Sequence, residues 1–268
     1  MVPPTLPQEL IDEIIDQFGE TALSNENRFS NKRVLASLSM VARAWKERSQ
    51  IHLFSTIDFR KLSSINLTES SLNELASVFS LTKDLNIDGS REAFPQYDPA
   101  QAALFRYFHN LESLSLTDWD LTGYSPEQLS TCFGHLGETV IQLELAGRAS
   151  SDSLICLTSM FPRLKGLEIA ITSVHTEGGG TISREKLTTI GSFQGSLNLW
   201  GLSEEHENFL AFLSSTSPRF NTICIDYCSI GDGVGMLLNS SAASLESLEL
   251  CEDYSFSEFQ DPLTHFLY

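Results

Sequence analysis

The chain has 268 residues, 41% of them hydrophobic and 10% aromatic, and a formal net charge of −18. That length can bury a sizeable core, in one large domain or in a small one beside a larger one, and the composition is neither low-complexity nor disordered. The acidity argues against nucleic acid as a partner, since phosphate contacts need a basic surface; no apolar run approaches the roughly 20 residues of a membrane span, and the first residues lack the basic flank and apolar stretch of a secretory signal.

Residues 5–54 read as three helices. Thr5 and Gln8 are spaced as a capping box, Pro7 is tolerated in the first turn, and a helix then runs to about Phe18. Leu6, Leu10, Ile11, Ile14, Ile15 and Phe18 occupy a face wider than one core contact requires. A polar loop, GETALSNENRFS, follows. Two more helical stretches come next: NKRVLASLSM, with Val34, Leu35 and Leu38 apolar, and VARAWKERSQIHLF, with Trp45 in its middle. About 50 residues in three short helices bury little by themselves, so part of such a broad apolar face is expected to dock elsewhere.

From Phe54 onward a pattern recurs: an apolar residue, two others, an apolar residue, one other, an apolar residue. It reads Phe54/Ile57/Phe59, Leu81/Leu85/Ile87 (one residue looser), Leu111/Leu114/Leu116, Leu143/Leu145, Leu164/Leu167/Ile169, Leu197/Leu199, Phe220/Ile223/Ile225 and Leu245/Leu248/Leu250. The central positions are separated by 28, 29, 29, 24, 30, 26 and 25 residues, close to the 20–29-residue period of leucine-rich repeats. Alternate strand residues face the same way, so the last two apolar positions of each copy enter one core.

The intervening segments read as helices. In SPEQLSTCFGHL, Ser125 caps, Pro126 takes the first helical position and Gln128 completes a capping box. In LSEEHENFLAFL, Ser203 caps, Glu204 and Glu205 favour the helix start, and Phe209, Leu210 and Leu213 point inward. TESSLNELASVF, SDSLICLTSMF, REKLTTIGSF and GVGMLLNSSA read alike, and the glycine run at 178–180 reads as a loop insertion. The expected fold is α/β: a helical module over 1–52, then about eight leucine-rich repeats over 53–268. Those repeats would form a right-handed solenoid, with parallel strands on the concave side and helices on the convex side. An ordinary α/β domain is the competing architecture.

LPQELIDEII, then VLASLSMVARAW, then IHLFSTIDF resemble the F-box, and the whole chain resembles fungal F-box proteins with leucine-rich repeats. The matching residues are Leu6, Pro7, Leu10, Ile11, Ile14 and Ile15 on the first helix, Leu35, Leu38 and Val41 on the second, and Trp45 on the third. The loop between Phe18 and Asn31 is longer than in a compact F-box. The resemblance implies that these residues bind a Skp-family adaptor, and through it a cullin, making the chain the substrate-recognition subunit of an SCF-type ubiquitin ligase. The alternative is a stand-alone repeat scaffold whose N-terminal helices cap the solenoid; they would then bury their first-helix apolar residues against 53–90.

The strand residues between the apolar ones form columns on the opposite face. They are Thr56, Asp84, Ser113, Gln142, Gly166, Ser196, Thr222 and Ser247; Asp58, Asn86, Ser115, Glu144, Glu168, Asn198, Cys224 and Glu249; and Arg60, Asp88, Thr117, Ala146, Ala170, Trp200, Asp226 and Cys251. Asp58, Asp84, Asp88, Glu144, Glu168, Asp226 and Glu249 make this face acidic, and Trp200 stands out as a binding hot spot. Residues 1–60 hold 7 Lys+Arg against 8 Asp+Glu, and the rest hold 10 against 27. A protein substrate of basic character follows from this complementarity.

Nothing in the sequence suggests catalysis, a metal or a cofactor. The six histidines are dispersed, Cys224 and Cys228 lack a partnering pair, and Asp118 and Asp120 lack the remaining ligands of a calcium loop. GDGVG at 231–235 lacks the lysine of a phosphate loop. Five scattered cysteines fit a reducing compartment, cytoplasm or nucleus. SFSEFQDPLTHFLY, at the end, looks like the helical half of a further repeat.

Overall fold

The computed structural model describes residues 7–23, 28–41, 43–59, 69–89, 99–171, 193–228 and 231–251. Three helices come first: α1 (Gln8–Leu23), α2 (Arg28–Val41) and α3 (Arg43–Phe54). Ile11, Ile15 and Leu35 are their buried centre, with Phe18, Leu38, Trp45 and Leu53 packed around it. α1 does not stop near Phe18, as the sequence suggests, and α2 starts before Asn31. The helix continues through Gly19, which lies under the His52 ring of α3, where any Cβ would collide with the imidazole.

Strand and helix then alternate: β1 (Thr56–Phe59), α4 (Glu69–Phe79), β2 (Asp84–Asp88), α5 (Pro99–Phe105), β3 (Ser113–Asp120), α6 (Pro126–Phe133), β4 (Gln142–Arg148), α7 (Ser151–Ser159), β5 (Gly166–Ile171), β6 (Gln194–Trp200), α8 (Glu207–Ser215), β7 (Arg219–Asp226), α9 (Asp232–Ser241) and β8 (Ser247–Cys251). The eight strands make one parallel sheet in chain order, an α/β array of solenoid-like form.

The register sets equivalent residues of successive copies side by side. Ile57, Leu85, Leu114, Leu143, Leu167, Leu197, Ile223 and Leu248 pair in one row, and Phe59, Ile87, Leu116, Leu145, Ile169, Leu199, Ile225 and Leu250 in another. These rows, apart from Leu248 of β8, which is exposed, form one continuous core with the inner faces of the helices. Backbone hydrogen bonds repeat with the same step where the chain turns into β2, β3, β4 and β5. The carbonyl of Ser55 accepts from the amides of Lys83 (2.8 Å) and Asp84 (2.9 Å), that of Lys83 from Glu112 (2.7 Å) and Ser113 (2.9 Å), and that of Glu112 from Ile141 (2.8 Å) and Gln142 (3.0 Å). Each carbonyl uses both lone pairs, so the turns are satisfied by the next copy and not by water.

Local signals act as the sequence indicates at several helix starts. Ser125 Oγ accepts from the Gln128 amide (3.3 Å), and the Gln128 side chain accepts from the Ser125 amide (2.8 Å). At Ser203 the partner is different: a 3-10 turn over Glu204–His206 precedes α8, and His206 Nδ1 accepts from the Ser203 amide (3.2 Å). The proton therefore sits on Nε2, which donates to the Ala149 carbonyl (3.2 Å). Ser151 Oγ donates to the Glu205 carbonyl (2.7 Å). These two bonds join the start of α7 to the turn that leads into α8, although β5 separates their strands. The REKLTTIGSF segment, the glycine run at 178–180 and SFSEFQDPLTHFLY lie outside the described residues, apart from Phe193. No helix among the described residues is long and apolar enough to cross a membrane.

Candidate functional site

Two surfaces gather the residues singled out from the sequence. On the three-helix unit, Ile11, Ile15 and Leu35 are buried in the internal core, so their side chains hold the helices together. Leu38 and Trp45 pack at the margin of that core. Pro7 is exposed, and Leu10 and Ile14 keep 46% and 38% of their surface in solvent. Leu6 lies outside the described residues, and Val41 is the last residue of α2. The i, i+4 spacing puts Leu10 and Ile14 together on α1, turned away from the Ile11/Ile15 seam. Met40, on α2, is also exposed (86%) and was not singled out by periodicity.

A polar clamp fastens the same unit. Arg48 Nε and Nη2 donate to the two oxygens of Asp16 at 2.7 and 2.6 Å, and His52 Nε2 lies 2.8 Å from Asp16 Oδ1. The Arg48 hydrogen bonds, with those of His52, hold the Asp16 carboxyl down at about 2. The four-residue spacing of Arg48 and His52 was the only trace of this clamp in the sequence.

The second surface is the sheet face opposite the helices. Its three columns have the membership read from the sequence wherever they are described: Asp58, Asn86, Ser115, Glu144, Glu168, Asn198, Cys224 and Glu249 are register partners, and so are Asp88, Thr117, Ala146, Ala170, Trp200, Asp226 and Cys251. Asp58, Glu168 and Glu249 are exposed, and Asp84, Asp88, Glu144 and Asp226 half-buried. Near β1 the carboxylates engage neighbouring strands. Thr56 Oγ1 donates to Asp84 (3.1 Å), and Asn86 Nδ2 donates to Asp58 (2.6 Å).

At the β6–β7 end the face changes character. Trp200 is 43% exposed and meets Tyr227 edge to face, with ring centroids 5.5 Å apart. Tyr227 is itself 53% exposed and takes a left-handed φ of 50°, which ends the strand alternation. Sequence reasoning missed Tyr227 because it falls beyond the repeating positions; an aromatic next to the Asp226 column was the available signal. Asp226 Oδ1 is buried without a hydrogen-bond partner. Burial raises the Cys224 thiol, and the charges of Glu249, Cys251, Asp226 and Glu168 raise it further.

Elsewhere the titratable groups are muted. Burial pushes the thiols of Cys132 and Cys156 up to about 11 and raises that of Cys228, so all three stay protonated and poorly nucleophilic. Asp120 accepts from the amide and hydroxyl of Thr122 and lies 4.0 Å from Arg148, which occupies it locally. Among the described residues, no group of three or more His, Cys, Asp or Glu side chains is placed to hold a metal ion. No protein-family model matches the chain, and no curated protein matches it.

Proposed function

We propose that the chain is the substrate-recognition adaptor of an SCF-type cullin-RING ubiquitin ligase. In this reading the three-helix unit is an F-box-like module that docks a Skp-family adaptor, and through it a cullin. The strand array is a right-handed leucine-rich-repeat solenoid whose open, concave sheet face receives a protein substrate.

The observation that carries the reading is the exposure of Leu10 and Ile14 on a helix that already has its own core partners. A mere cap on the array would turn α1 onto residues 53–90. α1 instead packs mainly on α2 and α3, and the unit's core is separate from that of the array. Joined to the array through α3 and β1, with Lys32 Nζ donating to the Thr56 carbonyl (3.3 Å), the unit leaves an apolar patch facing solvent. Apolar residues grouped on one exposed helix face support an association surface there.

The test is co-expression of the full chain with a fungal Skp-family adaptor, followed by size exclusion. The wild type is expected to co-elute with the adaptor. A Leu10→Asp/Ile14→Asp variant is expected to elute alone with an unchanged circular dichroism spectrum, since both residues lie outside the internal core. A well-folded wild-type chain that forms no complex would overturn the proposal.

A further inference from the structure

The aromatic pair at the β6–β7 end of the sheet sits in surroundings that select one kind of guest. We infer that Trp200, Tyr227 and Asp226 form a notch that seats an arginine side chain of a partner protein's segment. This deepens the substrate-binding reading of the open sheet face and rests on it.

Three features converge. Trp200 and Tyr227 keep about half of their surface in solvent while touching edge to face, so ring surface remains for a planar cation to stack on. Asp226 is the register partner of Trp200 on the adjacent strand, and its Oδ1 is shielded from water with no donor supplied by the described residues. An acceptor without a donor is an unmet hydrogen bond, and a guest completes it when the half-buried Asp226 side chain turns its carboxylate outward. Around them, Glu168, Glu249 and Asp226 all act on Cys224, which marks a shared negative field. Among the described residues, no Lys or Arg stands in the three columns to neutralise it.

Arginine fits this set better than lysine. Its guanidinium is flat and can lie on an indole while its edge donates sideways to a carboxylate, and it is more weakly hydrated than an ammonium. Lysine offers a compact point charge that satisfies the field but not the stack. A neutral guest would gain the stack and leave the carboxylates unpaired.

The tryptophan indole signals give the test, because the chain has only three tryptophans, Trp45, Trp119 and Trp200. The full chain, labelled with nitrogen-15, would be titrated with the probe acetyl-Ser-Gly-Arg-Gly-Ser-amide up to about 10 mM, a range that captures the weak affinity of a single side chain. Matched peptides would carry lysine or citrulline in place of arginine. Only the Trp200 indole should move, saturably; the lysine peptide should bind about fivefold more weakly, and citrulline should give no shift. Asp226→Asn should weaken the arginine peptide about tenfold, with an unmoved Trp119 indole reporting an intact core.

Equal shifts with citrulline or lysine, no movement of Trp200, or an Asp226→Asn variant that binds like the wild type would each overturn the inference. The outcome is separable from the ligase reading. A chain that binds the Skp-family adaptor but not the arginine probe fails only here, and one that binds the probe but not the adaptor fails only there.

Discussion

In the strand array each buried row runs on into the next strand, from Leu85 and Ile87 through to Ile223 and Ile225, and each turn carbonyl is closed by the following copy. In the three-helix unit the buried apolar side chains among the described residues are Ile11, Ile15 and Leu35, and much of the remaining fastening is polar, with Asp16 between Arg48 and His52. The array therefore spreads its stability over many equivalent contacts, as stacked repeats do. The small unit depends on a few, and it spends apolar residues on its outside. A module of that size is marginal alone, and under the proposed function the adaptor that covers Leu10 and Ile14 would stabilise it.

The sharpest way to break the contrast is to remove a side chain from the array's core. Leu116→Ala, at a fully buried position of β3, is expected to cost about 3 kcal/mol in chemical denaturation, because the repeated backbone leaves little room to collapse on the cavity. Gly195→Ala should come next, at about 2 kcal/mol. Gly195 holds φ 89° at the irregularity between β6 and β7, and a Cβ there would overlap the Lys165 carbonyl oxygen.

In the helical unit, Asp16→Asn should cost about 1 kcal/mol, discounted because the pair is partly exposed and screened. Hydrogen exchange should register the loss in α1–α3 and not in the array. The pH dependence has the sign of a depressed carboxyl. The clamp's contribution is full above the ordinary Asp value of 3.8 and is lost as pH falls from there through about 2. Asp16→Asn should flatten that acid limb. Leu10→Asp/Ile14→Asp should be smallest of all, within about 0.5 kcal/mol by thermal melting, since neither residue lies in the unit's core. A large loss there would mean that these residues hold the unit together and are not a free docking face.

The array's sheet was legible in the sequence because period-two alternation and turn spacing fix a strand's register almost alone. The rows through Leu114 and Leu116 and the columns through Glu168 and Trp200 follow directly from that alternation. α5 was missed: its Ala102, Leu104 and Phe105 are buried, but seven residues are too few to show a helical period. What depends on contacts between elements was invisible in the same way. The Asp16 clamp, the His52 ring that sets Gly19, and Tyr227 leaning on Trp200 each join residues with no fixed sequence spacing. Buried Ile11, Ile15 and Leu35 could not be told from exposed Leu10 and Ile14 until the neighbouring helices fixed which face was inside.

The claim that the two regions have separate tasks is tested most directly by hydrogen–deuterium exchange of the full chain with and without a Skp-family adaptor. The account predicts slowed exchange in α1 and α2, with the strand array unchanged. Protection in the array with α1 and α2 unaffected, or no change anywhere at saturating adaptor, would contradict it.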